Sequence, residues 1–326
     1  MLTGATLTRP PAALGRLTAV PGRLAADAID WETPIDRSRW YFCETLTPLY
    51  YAPVYRELEP HHRRRYNQLT GLLANELISL LESEFLQAAL TAVESSDARD
   101  GELLQAVRRF REDEERHASA WNRLNRLSEP GWYAARRSRR LVTVPPAVGV
   151  LSRAIARYPV LFPVVFWIQL VQEERSIEIS RRCMRVERDR IEPRYAAVYA
   201  AHLHDEVRHV QIDRHLIERF YRPRSPIVRH MTARLFRTLV SQLLLTPGRS
   251  TAAVIVRLVE EFPELAQRAP RIRAEVRALT DNDEYHRMMY SRKTTPVTFD
   301  LFDCFEEFHQ MRHVLRAYEP RQVMCS

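Results

Sequence analysis

The chain has 326 residues, which is enough to bury a large core in one or two domains. Hydrophobic residues make up 45% of it and only 8 residues are glycine, a composition that favours long helices over strands and turns. The formal net charge is +8, but the arginines are spread along the chain among Asp and Glu residues, so we expect a solvated surface and no nucleic-acid partner.

The cysteines and the most apolar segment indicate the compartment. Cys43, Cys183, Cys304 and Cys325 lie far apart and form no CxxC pair, which predicts reduced thiols in a cytoplasmic protein. The most apolar run, residues 158–171, contains two prolines and is too short to span a bilayer. We therefore expect a buried helix in that run and no membrane partner.

The first long helix carries one carboxylate on an otherwise core-like face. Residues 1–44 lack sustained periodicity, and we interpret them as an arm that wraps the body. A helix is predicted over about 60–93, with an inward stripe at alternating spacings of four and three residues. Glu82 interrupts this stripe, whereas Glu76 and Glu84 fall off it and are expected at the solvent or behind the ligands. The stripe comprises Gly71, Asn75, Ile78, Glu82, Phe85 and Ala89.

The second long helix, predicted over about 100–127, shows the clearest pattern. Its apolar stripe is interrupted only by Glu114 and His117, which stand three residues apart. Side chains at this spacing lie on one face of a helix, so both could reach the same metal ion. A chance pair on a charged helix is the alternative interpretation. The stripe comprises Leu103, Val107, Phe110, Glu114, His117, Trp121 and Leu124.

The third long helix offers several carboxylates. Residues 128–148 form a connection rich in Pro and Gly, and a short helix is expected over 147–157. Pro159 and Pro163 then open a helix that runs to about residue 189. Glu173, Glu174 and Glu178 compete for its inward position. Periodicity alone does not separate Glu173 from Glu174, because neighbouring residues differ by less than a third of a turn.

The fourth long helix begins at Pro193 and carries the densest group of ionisable residues. His202, Glu206 and His209 stand at i, i+4 and i+7, which places them on one face. This face would normally be apolar, and burying three ionisable groups without partners would cost several kcal/mol. A metal ion is the simplest group that would compensate them.

Together the four helices supply a known ligand set. Single carboxylates from two helices and Glu-x-x-His from the other two are the ligands of ferritin-like di-iron bundles. We therefore predict an all-α fold with a ferritin-like four-helix bundle core and additional N- and C-terminal helices. A single domain is expected over residues 45–326, with its metal-binding core at about 60–222 and extra helices over 225–318.

Further motifs surround these ligands and extend the pattern. With them, the sequence resembles the p-aminobenzoate N-oxygenase (AurF-type) family of di-iron monooxygenases, over roughly residues 55–220. The resemblance implies Glu174 rather than Glu173 as the ligand of the third helix. The motifs are Glu59-Pro60-His61, Asn75-Glu76, Asp113-Glu114-x-x-His117, Glu174-x-x-Ile177, Ile191-Glu192-Pro193 and His202-x-x-Asp205-Glu206-x-x-His209. The implied ligands are Glu82, Glu114, His117, Glu174, His202, Glu206 and His209.

The resemblance also implies a reaction. The expected enzyme is a di-iron monooxygenase that activates O2 and N-oxygenates an amine to a hydroxylamine, nitroso or nitro product in secondary metabolism. It would use two iron ions, with a manganese–iron pair as the alternative, and an external electron donor. Leu77 stands where the aminobenzoate-using member carries an arginine, which argues against an aryl-carboxylate substrate.

The partners implied are a small-molecule amine, an electron-donor protein or other reductant, and a second copy of the chain in a homodimer. The amine would be free or held on a carrier protein, and the arginine cluster at 136–140 would suit an acidic carrier.

Asp113, Asp205 and Asp213 are candidates to orient imidazole N–H groups, with a surface position as the alternative.

Two other functions fit the same ligands. The first is a di-iron oxygenase that acts on carbon as a hydroxylase, desaturase or halogenase, because the ligands determine the oxidant better than its target. The second is a non-catalytic ferritin-like metal-binding protein. His202 argues against the second, since storage sites are usually poorer in nitrogen ligands.

Overall fold

The computed structural model describes residues 13–18, 29–96, 100–133, 139–144, 146–185, 188–245 and 248–322. Within these ranges the chain is helical, and its extended backbone pairs only at an isolated bridge between Trp40 and Ile191. The all-α prediction is therefore confirmed. None of the helices in this described part is both long and apolar enough to cross a bilayer.

The helices follow one another along the chain. Two π-helical segments, Leu81–Leu86 and Val240–Leu244, directly continue helices that begin at Pro60 and Pro226. The α-helices are α1 Leu14–Thr18, α2 Pro60–Leu80, α3 Gln87–Ser96, α4 Gly101–Ser128, α5 Pro146–Arg157, α6 Val164–Arg185, α7 Pro193–Phe220, α8 Pro226–Leu239, α9 Arg249–Glu261, α10 Ala269–Ala278, α11 Asp283–Met289 and α12 Pro296–Cys304.

Local sequence signals explain where the bundle helices begin. Proline occupies the first turn of α2 and α7, where a missing N–H costs no helical hydrogen bond. Asp100 caps α4 by accepting from Leu103 N at 3.1 Å. Glu192 caps α7 by accepting from the backbone N–H of Arg194 at 2.8 Å and of Tyr195 at 3.1 Å. These starts agree with the predicted ones.

Four helical rods form the central bundle. The first consists of α2, the π-helical segment Leu81–Leu86 and α3, and it packs against α4, which in turn packs against α7. The helix α6 lies along α7. Two apolar clusters fill the bundle, one around Leu69, Leu124 and Tyr195, and the other around Phe110 and Leu216. The predicted ligand positions lie between these two clusters.

The segment before the bundle is attached to α2 by buried hydrogen bonds. Asn67 accepts from the backbone N–H of Tyr41 at 3.0 Å and of Phe42 at 3.1 Å, and it donates to Phe42 O at 2.6 Å. Gly71 permits this close approach, because a Cβ atom there would lie 2.8 Å from Tyr41 Cβ. The described end of the predicted arm therefore packs tightly on the bundle.

The later helices cover the outside of the bundle. The helix α9 packs on α2, and α8 and α12 pack on α6. A 3-10 helix, Glu306–His313, bridges α8 and α12. These elements are the additional C-terminal helices of the all-α fold.

Two local predictions were wrong. Residues 158–171 are not uniformly buried: Val164–Val171 lie in the α6 core face, but Leu161 is 68% exposed in the turn before α6. The expectation of four reduced thiols also fails. Cys43 and Cys183 are buried thiols, whereas Cys304 is disulfide-bonded. Cys325 lies outside the described residues.

Candidate metal centre

Six of the seven predicted ligands meet in one buried cluster. His117 Nδ1 lies 3.3 Å from Glu114 Oε1 and 3.4 Å from Glu206 Oε1. His209 Nδ1 lies 3.1 Å from Glu114 Oε1 and 3.3 Å from Glu206 Oε1. Each of these four residues is no more than 1% exposed. Together they form a group with metal-binding geometry.

His202 and Glu82 form the other part of the cluster. His202 Nε2 lies 3.0 Å from Glu206 Oε1 and 3.3 Å from Glu82 Oε1. Glu82, His117 and His202 form a second group with metal-binding geometry, and this group shares His117 with the first. A dinuclear centre requires two adjacent ion positions bridged by carboxylates, because an imidazole nitrogen binds only one ion. Glu206 is placed for this, since its Oε1 atom lies within 3.4 Å of nitrogens from His117, His202 and His209.

The π-helical segment Leu81–Leu86 positions Glu82. A π turn holds one residue more than an α turn, and such turns occur often at functional sites. The extra residue moves the buried face by one position after Glu82, so that Leu86 is buried where the regular stripe predicted Phe85. Trp121 Nε1 donates to Glu82 Oε1 at 3.3 Å and fixes the carboxylate.

The third helix contributes a different carboxylate from the one predicted. Glu174 faces away from the cluster and accepts from the backbone N–H groups of Val297 and Thr298, both at 2.7 Å, at the start of α12. Glu173 Oε2 instead lies 3.7 Å from His209 Nδ1. Glu178, the third competitor, accepts from Arg182 Nε at 2.7 Å. The structure therefore does not bring Glu174 to the cluster, and Glu173 occupies that place.

Two aspartates orient the histidines across the α4–α7 interface. His117 Nε2 donates to Asp205 Oδ2 at 3.2 Å, and His209 Nε2 donates to Asp113 Oδ2 at 3.4 Å. In each case the aspartate directly precedes the cluster glutamate of the opposite helix. The arrangement leaves both Nδ1 atoms facing the cluster, as metal ligation by imidazole requires.

One arginine that the sequence reasoning missed joins the two aspartates. Arg208 donates to Asp205 Oδ1 at 3.2 Å and also to Asp113 Oδ2. Its position two residues after Glu206 gave no periodic signal, since it lies off the ligand face. The Asp that precedes each Glu-x-x-His was the available signal, because two buried carboxylates at an interface need a cation between them.

Two other polar residues considered from the sequence, Asp213 and Glu76, lie in different surroundings. Asp213 is fully buried, and both of its carboxylate oxygens lack a hydrogen-bond partner among the described residues, so it orients no imidazole there. Glu76, expected at the solvent or behind the ligands, is 1% exposed and lies behind none of them. It accepts from Tyr133 Oη at 2.6 Å, Arg140 N at 2.8 Å and Val142 N at 2.7 Å, so it anchors the connection before α5.

Burial and mutual repulsion shape the protonation of the cluster. Burial and the neighbouring Glu114 charge raise the pKa of Glu82 well above its usual value. Burial lowers the pKa of His117, but its hydrogen bond to Asp205 and the negative charge of the nearby Glu114 outweigh this effect and raise the pKa to about 10. Burial and the charge of His117 hold the pKa of His202 well below its usual value. The metal-free cluster thus holds protons where cations would otherwise sit.

The polar atoms of the cluster match the needs of a dinuclear metal centre. Nine of its buried side-chain atoms, all from proposed ligands or Asp213, form no hydrogen bond with any part of the chain that the structure describes. Leaving so many polar atoms unsatisfied would be costly unless cations fill the space between them. The atoms are Glu82 Oε2, Glu114 Oε1 and Oε2, Glu206 Oε1 and Oε2, His117 Nδ1, His209 Nδ1 and both carboxylate oxygens of Asp213.

Comparison with known proteins agrees with the family resemblance seen in the sequence. The family model described as p-aminobenzoate N-oxygenase AurF matches residues 11–299, which is most of the chain. A search of the curated proteins finds no match. The matched range includes every residue of the cluster and both Asp-Glu-x-x-His motifs.

Proposed function

The chain belongs to the p-aminobenzoate N-oxygenase AurF family, and from this premise we propose that it is a di-iron monooxygenase that N-oxygenates an amine in secondary metabolism. Membership supports an oxygenase in general terms. The identity of the amine and the extent of its oxidation belong to the proposal. A homodimeric assembly and a separate electron donor also remain predictions.

Seven side chains would hold the two irons. This set keeps six of the sequence-based ligands and replaces Glu174 with Glu173, since Glu174 is already engaged by the start of α12. The metal pair would supply the activation of O2, with electrons from an external donor. The proposed ligands are Glu82, Glu114, His117, Glu173, His202, Glu206 and His209.

The chain's own groups would prepare this centre for catalysis. Asp205 and Asp113 hold the Nε2 protons of His117 and His209, so that each Nδ1 lone pair stays directed at the metal position. Trp121 donates to the Glu82 oxygen that lies beside His202, so it fixes the orientation of this carboxylate in the cluster. The apolar clusters on both sides exclude bulk water from the reacting groups.

The third histidine is the observation that carries the proposal. His202 is 1% exposed, and its Nε2 atom lies within 3.3 Å of oxygens from both Glu82 and Glu206. A pKa well below the usual value keeps this imidazole neutral and able to ligate. A centre with three imidazoles is richer in nitrogen than a storage site needs, which favours an oxygenase over a metal-storage protein.

The proposal is tested by metal analysis followed by turnover. Protein reconstituted with Fe²⁺ without oxygen should contain about two irons per chain. After addition of a reductant, O2 and a panel of amines, mass spectrometry should detect N-oxidised products. The double variant Glu114→Ala, His117→Ala is the control and should lose both iron and product.

Other outcomes would assign the alternative functions. A hydroxylated or desaturated hydrocarbon chain, with every amine recovered unchanged, would assign a di-iron oxygenase that acts on carbon. Uptake of many irons with O2-driven mineral formation and no organic product would assign a metal-storage protein. Absence of bound iron would remove the proposal.

A further inference from the structure

The helix α5 and the turn after it present an apolar face to solvent. Val150 is 61% exposed, Leu151 is 49% exposed and Leu161 is 68% exposed. Tyr158 and Phe162 are also exposed. A surface helix normally directs polar side chains to solvent, and contiguous exposed apolar residues mark interaction sites. These five residues are called the α5 face below.

Arginines border the α5 face without acidic neighbours. Arg153 and Arg157 are exposed, and at 3.6 residues per turn they follow one edge of the helix beside Val150. Neither forms an ion pair with an acidic side chain anywhere in the described ranges. Residues 130–172 contain six arginines and no Asp or Glu. The border is therefore positively charged and uncompensated.

The α5 face lies close to the metal centre. The helix α5 packs against α3, α6 and the π-helical segment Leu81–Leu86. That segment carries Glu82, and Glu76 holds the connection that leads into α5 through Arg140 N and Val142 N. A partner bound on α5 would thus be separated from a ligand of the centre by one layer of helix.

We propose that the α5 face is the docking surface for an acidic electron-donor protein. This inference rests on the proposed oxygenase function, because that reaction needs electrons from outside. An apolar centre with a charged border suits a small, transient electron-transfer complex, and opposite charges accelerate its formation. A symmetric contact with a second copy of the chain would instead bring like-charged arginine borders together. An anionic lipid surface would pair with the arginines, but its binding would not make use of the position of the α5 face next to Glu82, a proposed iron ligand.

Binding of an acidic probe tests the surface. Calorimetry is performed between the iron-loaded protein and an oxidised plant-type ferredoxin, a small acidic one-electron carrier, at low and high salt. The double variant Arg153→Glu, Arg157→Glu should weaken binding by about tenfold or more, and salt should weaken the wild-type complex. Leu161→Ser should also weaken it. The matched control Arg273→Glu, Arg277→Glu reverses an exposed pair of the same spacing on α10 and should bind like the wild type.

Reduction kinetics separate this inference from the proposed function. In the Arg153→Glu, Arg157→Glu variant, reduction of the bound iron by reduced ferredoxin should slow, while reduction by dithionite should keep its wild-type rate. Ferredoxin binding that is absent in the wild type, or equal in wild type and variant, overturns the inference. So does preferential binding of an acidic acyl carrier protein or of anionic phospholipid vesicles, or a dimer that dissociates in Leu161→Ser. Ferredoxin-dependent iron reduction without any N-oxidised product would remove only the proposed function.

Discussion

At the scale of single residues, Glu173 and Glu174 are neighbours whose carboxylates lie in different surroundings. Glu173 Oε2 approaches His209 Nδ1 at 3.7 Å, whereas Glu174 accepts two backbone N–H groups of α12. Successive residues differ by about 100° around a helix, so a small rotation of α6 decides which one faces the centre. Sequence periodicity cannot resolve that rotation, and the resemblance selected the residue that the structure places elsewhere.

The two glutamates offer a matched pair of variants for the ligand assignment. We expect Glu173→Gln to lower bound iron from about two to one or fewer per chain, because a neutral amide is a poor iron ligand. We expect Glu174→Gln to keep the wild-type iron content, because its side chain lies outside the cluster. Metal analysis after reconstitution measures both. The reverse result would return the ligand role to Glu174.

Glu174 should also make stability depend on pH. Burial raises its pKa to about 7, against the hydrogen bonds from Thr298 and Val297. Its stabilising contribution is therefore complete below the unfolded value near 4.5 and is lost as the pH rises through about 7. The difference in unfolding free energy between wild type and Glu174→Gln should fall by roughly 3 kcal/mol over this range in metal-free protein. Urea denaturation at several pH values measures it, and parallel pH profiles would contradict it.

The aspartates behind the histidines provide a third test at this scale. In Asp205→Asn, the carboxylate that accepts the His117 Nε2 proton becomes a neutral amide. We expect iron affinity to fall by about 10–100-fold while helicity is retained, as for other groups that support metal ligands. Competition with a chromogenic chelator measures the affinity. The matched variant is Asp100→Asn on the same bundle, a helix cap far from the cluster in sequence, which should bind iron normally.

At the scale of elements, the π-helical segment Leu81–Leu86 is the feature that regular periodicity did not predict. A stripe with α-helical spacing predicts the buried position of Glu82 but places Phe85 too deeply. A π turn forms because tertiary packing stabilises the helix with the extra residue, and the local sequence does not predict it. The starts of α2, α4 and α7 were predictable because prolines and capping carboxylates act within a few residues.

Removing the extra residue should separate folding from metal binding. Ser83 is exposed in the π turn, and deleting it would let the segment close as a regular α-helix with both flanking helices in place. We expect circular dichroism to show wild-type helicity, while bound iron falls because Glu82 no longer reaches the cluster. Ser83→Ala is the control and should keep its iron. Full iron content in the deletion variant would show that the π turn is dispensable.

At the scale of the whole molecule, a polar layer lies between two apolar clusters. The layer crosses four rods, and its members come from positions as distant in sequence as Glu82 and His209. The two Asp-Glu-x-x-His motifs made this layer predictable, because inward ionisable residues at helical spacing need a common partner. The role of Arg208 and the idle position of Asp213 depend on contacts between helices, which one sequence does not reveal.

Metal loading should release protons from this layer. In the metal-free protein the pKa of His117 is raised to about 10, and the pKa of His209 is raised well above its usual value. Both histidines therefore carry protons at pH 7 that the metal must displace. We expect release of at least about two protons per chain on Fe²⁺ binding in weak buffer, and an affinity that rises with pH. A pH electrode or indicator dye measures the release, and pH-independent binding without release would contradict it.

The hydrogen bonds between Glu174 and the start of α12 limit how far the protein can be shortened. A fragment that ends after α7 would retain every proposed iron ligand, yet the carboxylate beside Glu173 would lose both of its amide donors from Val297 and Thr298. The Glu174 carboxylate would then repel that of Glu173, or α6 would rotate so that Glu174 reaches water. Transferring only the four rods of the bundle to another protein should therefore fail unless the C-terminal helices through α12 are included.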